Sequence, residues 1–73
     1  MNIESMLTDE ELEVYKFIRY YFKVEGFSPS RREIAAAVAL STYNVNIVLK
    51  SLMGKGLIKY YPRKPRTIAV ISR

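Results

Sequence analysis

The sequence contains no cysteine and no histidine, and these absences remove several kinds of chemistry. Without thiols the chain has no disulfide framework, and without thiolate or imidazole groups a transition-metal site has no donors. The acidic residues lack the spacing of a calcium-binding loop. We therefore expect no metal and no cofactor, and a reducing cytoplasm suits such a chain.

Long apolar runs are also missing. The longest, residues 34–40, is far shorter than the roughly 20 residues that cross a bilayer, and the N-terminus lacks the basic and then apolar pattern of a secretory signal. We therefore expect no membrane partner. With three glycines, three prolines and 49% hydrophobic residues, the composition indicates one small folded domain over residues 1–73.

Catalytic residues are hard to assemble from what remains. The acids Asp9, Glu10 and Glu11 lie at the start of a predicted helix, where the helix dipole favours negative charge, rather than across a cleft. The sequence has no glycine-rich loop to cradle a phosphate, and a Ser–Lys pair would need a buried lysine for which so small a core has little room. The sequence therefore argues against an enzyme.

Charge is divided unevenly along the chain. Residues 1–25 hold three basic and six acidic residues, a net charge of −3, whereas residues 26–73 hold nine basic residues and the single carboxylate Glu33, a net charge of +8. This imbalance favours a polyanionic partner, and double-stranded DNA is the first candidate. A merely solubilising role fits the charge equally well, so the order of the elements along the chain is needed to decide.

Three helices are predicted from their caps and from apolar residues at helical spacing. Capping boxes of the form Ser/Thr-x-x-Glu begin at Thr8 and Ser30, and Ser41 offers a third cap. Only about three residues separate the second and third helices, as in a helix-turn-helix. The apolar face predicted for the first helix consists of Val14, Tyr15, Phe17, Ile18, Tyr21 and Phe22. The predicted helices cover about residues 9–25, 31–38 and 42–53.

A β-hairpin is predicted after the third helix. Residues 57–61 and 66–71 are rich in β-branched and aromatic residues and flank a proline-containing turn. Because a two-stranded ribbon is marginal alone, we expect Ile58, Ile68 and Val70 to pack on the helices. The predicted fold class is mainly α with a small β-hairpin, a winged helix-turn-helix of three helices plus a two-stranded wing.

The third helix is the predicted DNA reader. At about 100° per residue its outward row is mostly neutral and short. In a major groove Asn46 would pair with adenine and Ile47 would contact a thymine methyl, while residues at the helix start would bind phosphates. An ordinary solvated face is the alternative, but an exposed isoleucine and tyrosine are poor solubilising choices. The predicted DNA-binding residues of this helix are Thr42, Tyr43, Asn44, Asn46, Ile47 and Lys50.

Cations elsewhere are predicted to hold the DNA backbone. The hairpin tip carries three of them beside two prolines that stiffen it, which suits contact with phosphates or a minor groove. Arg31 and Arg32 lie in the first turn of the second helix, against its dipole, and this position suggests that an anion binds there. The predicted phosphate and wing contacts are Ser30, Arg31, Arg32, Arg63, Lys64 and Arg66.

The sequence resembles the N-terminal domain of the LexA repressor family over about residues 7–70. The most specific pieces are GFSPSRREI, residues 26–34, and Lys64-Pro65-Arg66. The resemblance implies a three-helix winged domain whose third helix reads operator DNA, acting as a repressor in transcription regulation. Further matching residues are Leu7-Thr8, Glu13-Val14, Phe17-Ile18-Arg19, Tyr21, Leu40-Ser41, Leu49-Lys50, Leu52 and Lys55-Gly56.

Two departures from the family limit what the resemblance implies. The loop into the third helix is one residue shorter than the family's, and the face formed by Tyr43, Asn46 and Ile47 is less polar, so the family's operator sequence does not carry over. Residues 1–73 also lack the family's C-terminal self-cleaving domain. We therefore expect a LexA-like regulator without autocleavage, associated with the nucleoid. The alternative is a winged-helix protein-interaction module, such as a phage- or plasmid-encoded accessory protein acting on a partner protein; a small enzyme subunit is a much weaker third.

Assembly on DNA is expected from the size of the domain. A single winged module buries only about 600–1,000 Å² on DNA, which seldom gives regulatory specificity alone. Leu12 and Tyr20 lie on the polar side of the first helix, two turns apart, although Leu12 also fits a hydrophobic staple with Leu7. We expect a monomer or weak homodimer in solution that pairs mainly on DNA.

Overall fold

The computed structural model describes residues 6–71, so the first five and last two residues of the predicted domain lie outside the described part. Three helices precede a two-stranded antiparallel hairpin, which confirms the predicted fold class. The elements are α1 (Asp9–Glu25), α2 (Arg31–Val38), α3 (Thr42–Gly54), β1 (Ile58–Lys59) and β2 (Ala69–Val70).

Local capping explains where α1 begins and ends. The Thr8 hydroxyl accepts a bond from the Glu11 amide at 3.2 Å, and the Glu11 carboxylate accepts one from the Thr8 amide at 2.8 Å. Gly26 ends the helix in the left-handed conformation, with φ of 82°. The prediction that Phe22 lies inward is wrong: residues 22–27 are all exposed, because the last turn of α1 extends past the core.

A tight turn joins α2 to α3 and sets their angle. α2 repeats the capping box with Ser30 and Glu33, and it ends at Ala39, which adopts the left-handed conformation with φ of 57°. Three residues later α3 has begun behind its cap, Ser41, and the two helices are bent by 104° relative to each other. This is the geometry of a helix-turn-helix.

The core lies between the three helices and the inner side of the hairpin. α3 contributes Val45, Val48, Leu49 and Leu52, as its apolar spacing predicts. The largest fully buried side chains are Ile18, Ile34, Leu49, Leu52, Ile58, Val14, Val45 and Pro29. Within residues 6–71 no single helix is long and apolar enough to span a membrane; only α2 and α3 together reach that length and composition, across their sharp bend.

The strands are shorter than the predicted ranges 57–61 and 66–71. Within residues 6–71 the ladder pairs are Ile58 with Val70 and Lys59 with Ala69. Toward the turn side chains replace the backbone ladder: the Tyr61 amide donates to the Thr67 hydroxyl at 3.0 Å, and the Ile68 amide donates to the Ser28 hydroxyl at 3.1 Å. The expected packing is confirmed, since Ile58 and Ile68 are buried and Val70 is half-buried against the core.

Candidate nucleic-acid interface

The outer side of α3 is exposed and neutral. Tyr43 is 72% and Ile47 50% exposed, and their spacing of four residues places them on the same side of the helix. Thr42, Asn44 and Lys50 are exposed as well. α3 contains no acidic residue, so nothing on this helix repels a phosphate. The structure therefore brings five of the six predicted α3 residues to an accessible surface.

Asn46 departs from its predicted outward position. It is half-buried, and its Oδ1 atom is buried without a hydrogen-bond partner among residues 6–71. The physical reason is its position at the margin of the core-facing stripe, one residue after the fully buried Val45. An unpaired buried acceptor costs free energy, because the hydrogen bond that water would have made is lost.

The wing turn exposes all three of its predicted cations, although Arg66 is also bonded to the rest of the domain. Arg63 and Lys64 are exposed on the segment between the prolines, and the Lys64 amide donates to the Tyr61 carbonyl at 3.0 Å. The Thr67 hydroxyl is within donating distance of two carbonyls, that of Tyr61 at 3.2 Å and that of Lys64 at 3.1 Å. These bonds close the turn and hold the two cations at its tip.

The start of α2 is tied to the wing. The Arg31 Nη2 atom donates to the Pro62 carbonyl at 2.7 Å, so this arginine has an internal acceptor that explains its unfavourable position at the helix start. Ser30 is engaged in the helix cap. Arg32 is exposed. Of the three residues predicted to bind phosphates here, Ser30 and Arg31 form hydrogen bonds within the domain. Within residues 6–71 the Arg32 side chain forms none.

Arg66 differs most from its predicted role as a phosphate contact. Its guanidinium lies against the Glu33 carboxylate, with Nη1 2.9 Å from Oε1 and Nη2 3.3 Å from Oε2. Nη1 also donates to the Ser28 carbonyl at 3.2 Å and to the Tyr21 hydroxyl at 3.4 Å. The charge pattern held a signal for this pairing, because Glu33 is the only carboxylate in residues 26–73.

The electrostatics of this pair keep both groups ionised. The backbone amide of Ser30 and then the guanidinium of Arg66 lower the pKa of Glu33 to about 2, against a smaller opposing effect of desolvation. Hydrogen bonds with Tyr21 and Glu33 raise the pKa of Arg66. At neutral pH the wing and α2 are therefore joined by a full ion pair.

A second carboxylate cluster joins α1 to the end of α3. Glu11 is buried, and its side chain accepts bonds from the Lys55 ammonium at 2.7 Å and from the Ser51 hydroxyl. Burial alone would raise the pKa of Glu11, but the bonds from Lys55, Ser51 and the Thr8 amide, with the charge of Lys55, lower it to about 2. The sequence explained Glu11 by capping and the helix dipole, and missed this pairing because Lys55 lies far along the chain.

The helix-turn-helix and wing agree with a family match over most of the sequence. Residues 4–67 match the LexA DNA binding domain. The chain belongs to the LexA DNA-binding domain family. This LexA-type domain is 42% identical over 67 residues to the LexA repressor of Listeria welshimeri, covering 90% of the chain and 33% of that protein.

Two clostridial relatives give the same picture. The domain is 43% identical over 73 residues to the LexA repressor of Clostridium acetobutylicum, covering 99% of the chain and 36% of that protein. It is 45% identical over 65 residues to the LexA repressor of Clostridium botulinum, covering 88% of the chain and 32% of that protein. The chain thus spans about a third of the length of these curated relatives, and it is a winged helix-turn-helix DNA-binding domain.

Proposed function

We propose that this LexA-type domain binds double-stranded DNA sequence-specifically as a small transcriptional repressor, with α3 in the major groove and the wing on the backbone. The observation that carries the proposal is the exposed, acid-free side of α3 together with the exposed wing cations Arg63 and Lys64. The role requires DNA binding only, and no self-cleavage is assigned to residues 1–73. Its site of action would be the nucleoid in the cytoplasm.

Base reading would come from the middle of α3. Ile47 suits contact with a thymine methyl. Asn46 would pair with adenine after a side-chain rotation that brings its buried Oδ1 outward, and this rotation would relieve the unpaired acceptor of the free domain. Thr42, Tyr43 and Asn44 would bond phosphates at the helix start.

Phosphate binding would come from cations on three elements. Lys50 on α3, Arg32 on α2 and the wing cations Arg63 and Lys64 lie in the part of the chain with net charge +8. Arg31 keeps other guanidinium N–H groups for a phosphate while Nη2 donates to Pro62. Neutralising about five phosphates would release their counterions, so log K should fall against log salt with a slope of about −4 to −5.

A test separates the reader from the phosphate contacts. A preferred duplex is selected from random DNA, and affinities of wild type, Asn46→Ala and Lys64→Ala are measured on it and on scrambled DNA at several salt concentrations. Asn46→Ala should cost about 1–3 kcal/mol on the selected duplex and little on scrambled DNA. Lys64→Ala should weaken both and reduce the salt slope by about 1. Equal losses on both duplexes for Asn46→Ala would mean that α3 is not the reader, and would favour the protein-interaction module.

A weak homodimer formed mainly on DNA is the proposed assembly. Tyr20 is 63% exposed on α1, whereas Leu12 is half-buried and so offers less surface than a fully exposed leucine. A second arm of the same titration uses duplexes with one or two half-sites spaced by one helical turn. Cooperative binding on two half-sites that Tyr20→Glu abolishes would support pairing through α1. Sedimentation showing a tight free dimer that Tyr20→Glu leaves intact would contradict it.

A further inference from the structure

The wing is fastened to the rest of the domain at both ends of its turn. At one end the Pro62 carbonyl accepts the bond from Arg31, and at the other end Arg66 binds Glu33. The guanidinium of Arg66 also lies over the Phe27 ring, 5.3 Å from its centroid, and that ring meets Tyr21 edge-on at 5.7 Å. One side chain of the wing therefore contacts α1, the loop after it, and α2.

Arg66 adopts an unusual backbone conformation for this contact. Its φ is 56°, in the left-handed region that residues with a Cβ atom seldom adopt. Such strain persists only where surrounding interactions compensate for it. The bonds from Arg66 to Glu33, Ser28 and Tyr21 supply that compensation.

The two strands alone do not fix the direction in which the turn of the hairpin points. β1 and β2 form only two residue pairs, and a ribbon of that size is not stable alone. Pro62 and Pro65 donate no backbone hydrogen bonds inside the turn. Ile58 and Ile68 anchor the base of the hairpin in the core, and beyond them the place of the wing tip relative to α3 depends on the contacts at the two ends of the turn.

We propose that Glu33 and Arg66 are positioning residues for DNA binding: their contact, here called the wing latch, sets where Arg63 and Lys64 meet the DNA backbone, and Arg66 is not itself a phosphate contact. The inference rests on the proposed function, because it assigns a task within that DNA interface. A lysine could not replace Arg66, since a single ammonium cannot bind both oxygens of Glu33 through two separate nitrogens while it also donates to the Ser28 carbonyl.

The charge of Glu33 gives the proposal a test of sign. A carboxylate beside DNA repels phosphates, so its neutralisation should tighten DNA binding if charge were its only effect. The wing latch predicts the reverse. Glu33→Gln suits the test because glutamine retains the capping-box bond to the Ser30 amide while losing the ion pair. Glu13→Gln, at an exposed position of α1, is the matched control for the loss of one negative charge.

The first measurement is DNA affinity on the selected and on scrambled duplexes. Glu33→Gln should weaken binding to both by roughly 3- to 10-fold, whereas Glu13→Gln should leave it unchanged or slightly tighter. In a double-mutant cycle, Lys64→Ala should lower affinity several-fold in the wild-type background and by less than about 2-fold in the Arg66→Lys background. Tighter binding by Glu33→Gln, or equal costs of Lys64→Ala in both backgrounds, would overturn the proposal.

The second measurement uses the free protein, so it is independent of DNA. The Lys64 and Tyr61 amides are hydrogen-bonded inside the turn, and their hydrogen exchange reports on the wing. Exchange should accelerate roughly 10-fold or more in Glu33→Gln and Arg66→Lys, while amides of α3 and the melting curve change little. Unchanged exchange would overturn the wing latch. If wild type bound no DNA, the proposed function would fail, and the exchange data would still decide whether the latch holds the wing.

Discussion

Glu11 and Glu33 occupy the same place in two capping boxes but differ in what surrounds them. Each is the third residue of its helix, each binds a cation from a distant part of the chain, and each has a pKa lowered to about 2. The Glu11 side chain is 7% exposed beside Lys55, whereas that of Glu33 is 36% exposed beside Arg66. A buried ion pair must remain satisfied, while an exposed one is screened by water; we infer that the first supports stability and the second geometry.

The largest expected effect is on folding stability. Glu11→Gln should lower the free energy of unfolding by about 1.5–3 kcal/mol, because a buried charged hydrogen-bond acceptor is lost from Lys55 and Ser51. For a domain of this size the melting temperature should then fall by about 6–24 °C. Glu33→Gln, at the exposed cluster, should change it far less. Thermal melts of both variants provide the measurement, and equal losses would remove the distinction between the two clusters.

Acid should reveal the same distinction. Both carboxylates have folded-state pKa values of about 2, below their ordinary value of 4.5, so their stabilisation is complete above about pH 5 and is lost as pH falls toward 2. Between pH 5 and pH 2 Glu11→Gln should lose less folding free energy than wild type, because one of the two groups no longer titrates. Added salt should reduce the acid sensitivity left in Glu11→Gln, since the remaining pair is exposed. Urea unfolding between pH 2 and 6 checks this; parallel curves for wild type and Glu11→Gln would contradict it.

The smallest expected effect on folding stability comes from completing a capping box at the start of α3. Ser41 caps α3, but the third helical residue is Asn44 rather than glutamate. Asn44→Glu should stabilise the domain by about 0.5–1 kcal/mol and weaken binding to all DNA sequences, because it adds a carboxylate to the proposed interface. Asn44→Gln is the matched control, since it can form the box without charge. If both variants lost equal DNA affinity, the replacement of the shorter asparagine side chain rather than the added charge would be responsible.

Local signals predicted the fold well. Each helix begins directly after its predicted cap, since a capping bond joins residues only three apart. The wing was predicted too long because its ladder is ended by non-local bonds, such as that from the Ile68 amide to Ser28, which β propensity does not register.

The candidate site was less predictable than the fold, because tertiary contacts decide which of its cations are bonded within the domain and which remain available for DNA. In the sequence Arg66 and Lys64 look alike, as two cations of the same turn, yet of the two it is Arg66 that forms an ion pair with Glu33. Helical periodicity likewise placed Asn46 in the outward row, whereas the residue is half-buried and its Oδ1 atom is buried. The role of Glu11 was only half visible, since its cap is local and its ion pair spans 44 residues of sequence.

The outward residues Tyr43, Ile47 and Lys50 belong neither to the core nor to either glutamate cluster. Selection can therefore change them with little effect on folding, and surface substitutions of this kind usually alter stability by no more than about 0.5 kcal/mol. Under the proposed function, base preference can then change at Ile47 while the core and both glutamate clusters stay the same. A library randomised at these three positions should yield folded proteins whose DNA affinity changes through Tyr43 and Lys50 and whose base preference changes through Ile47, without compensating mutations elsewhere.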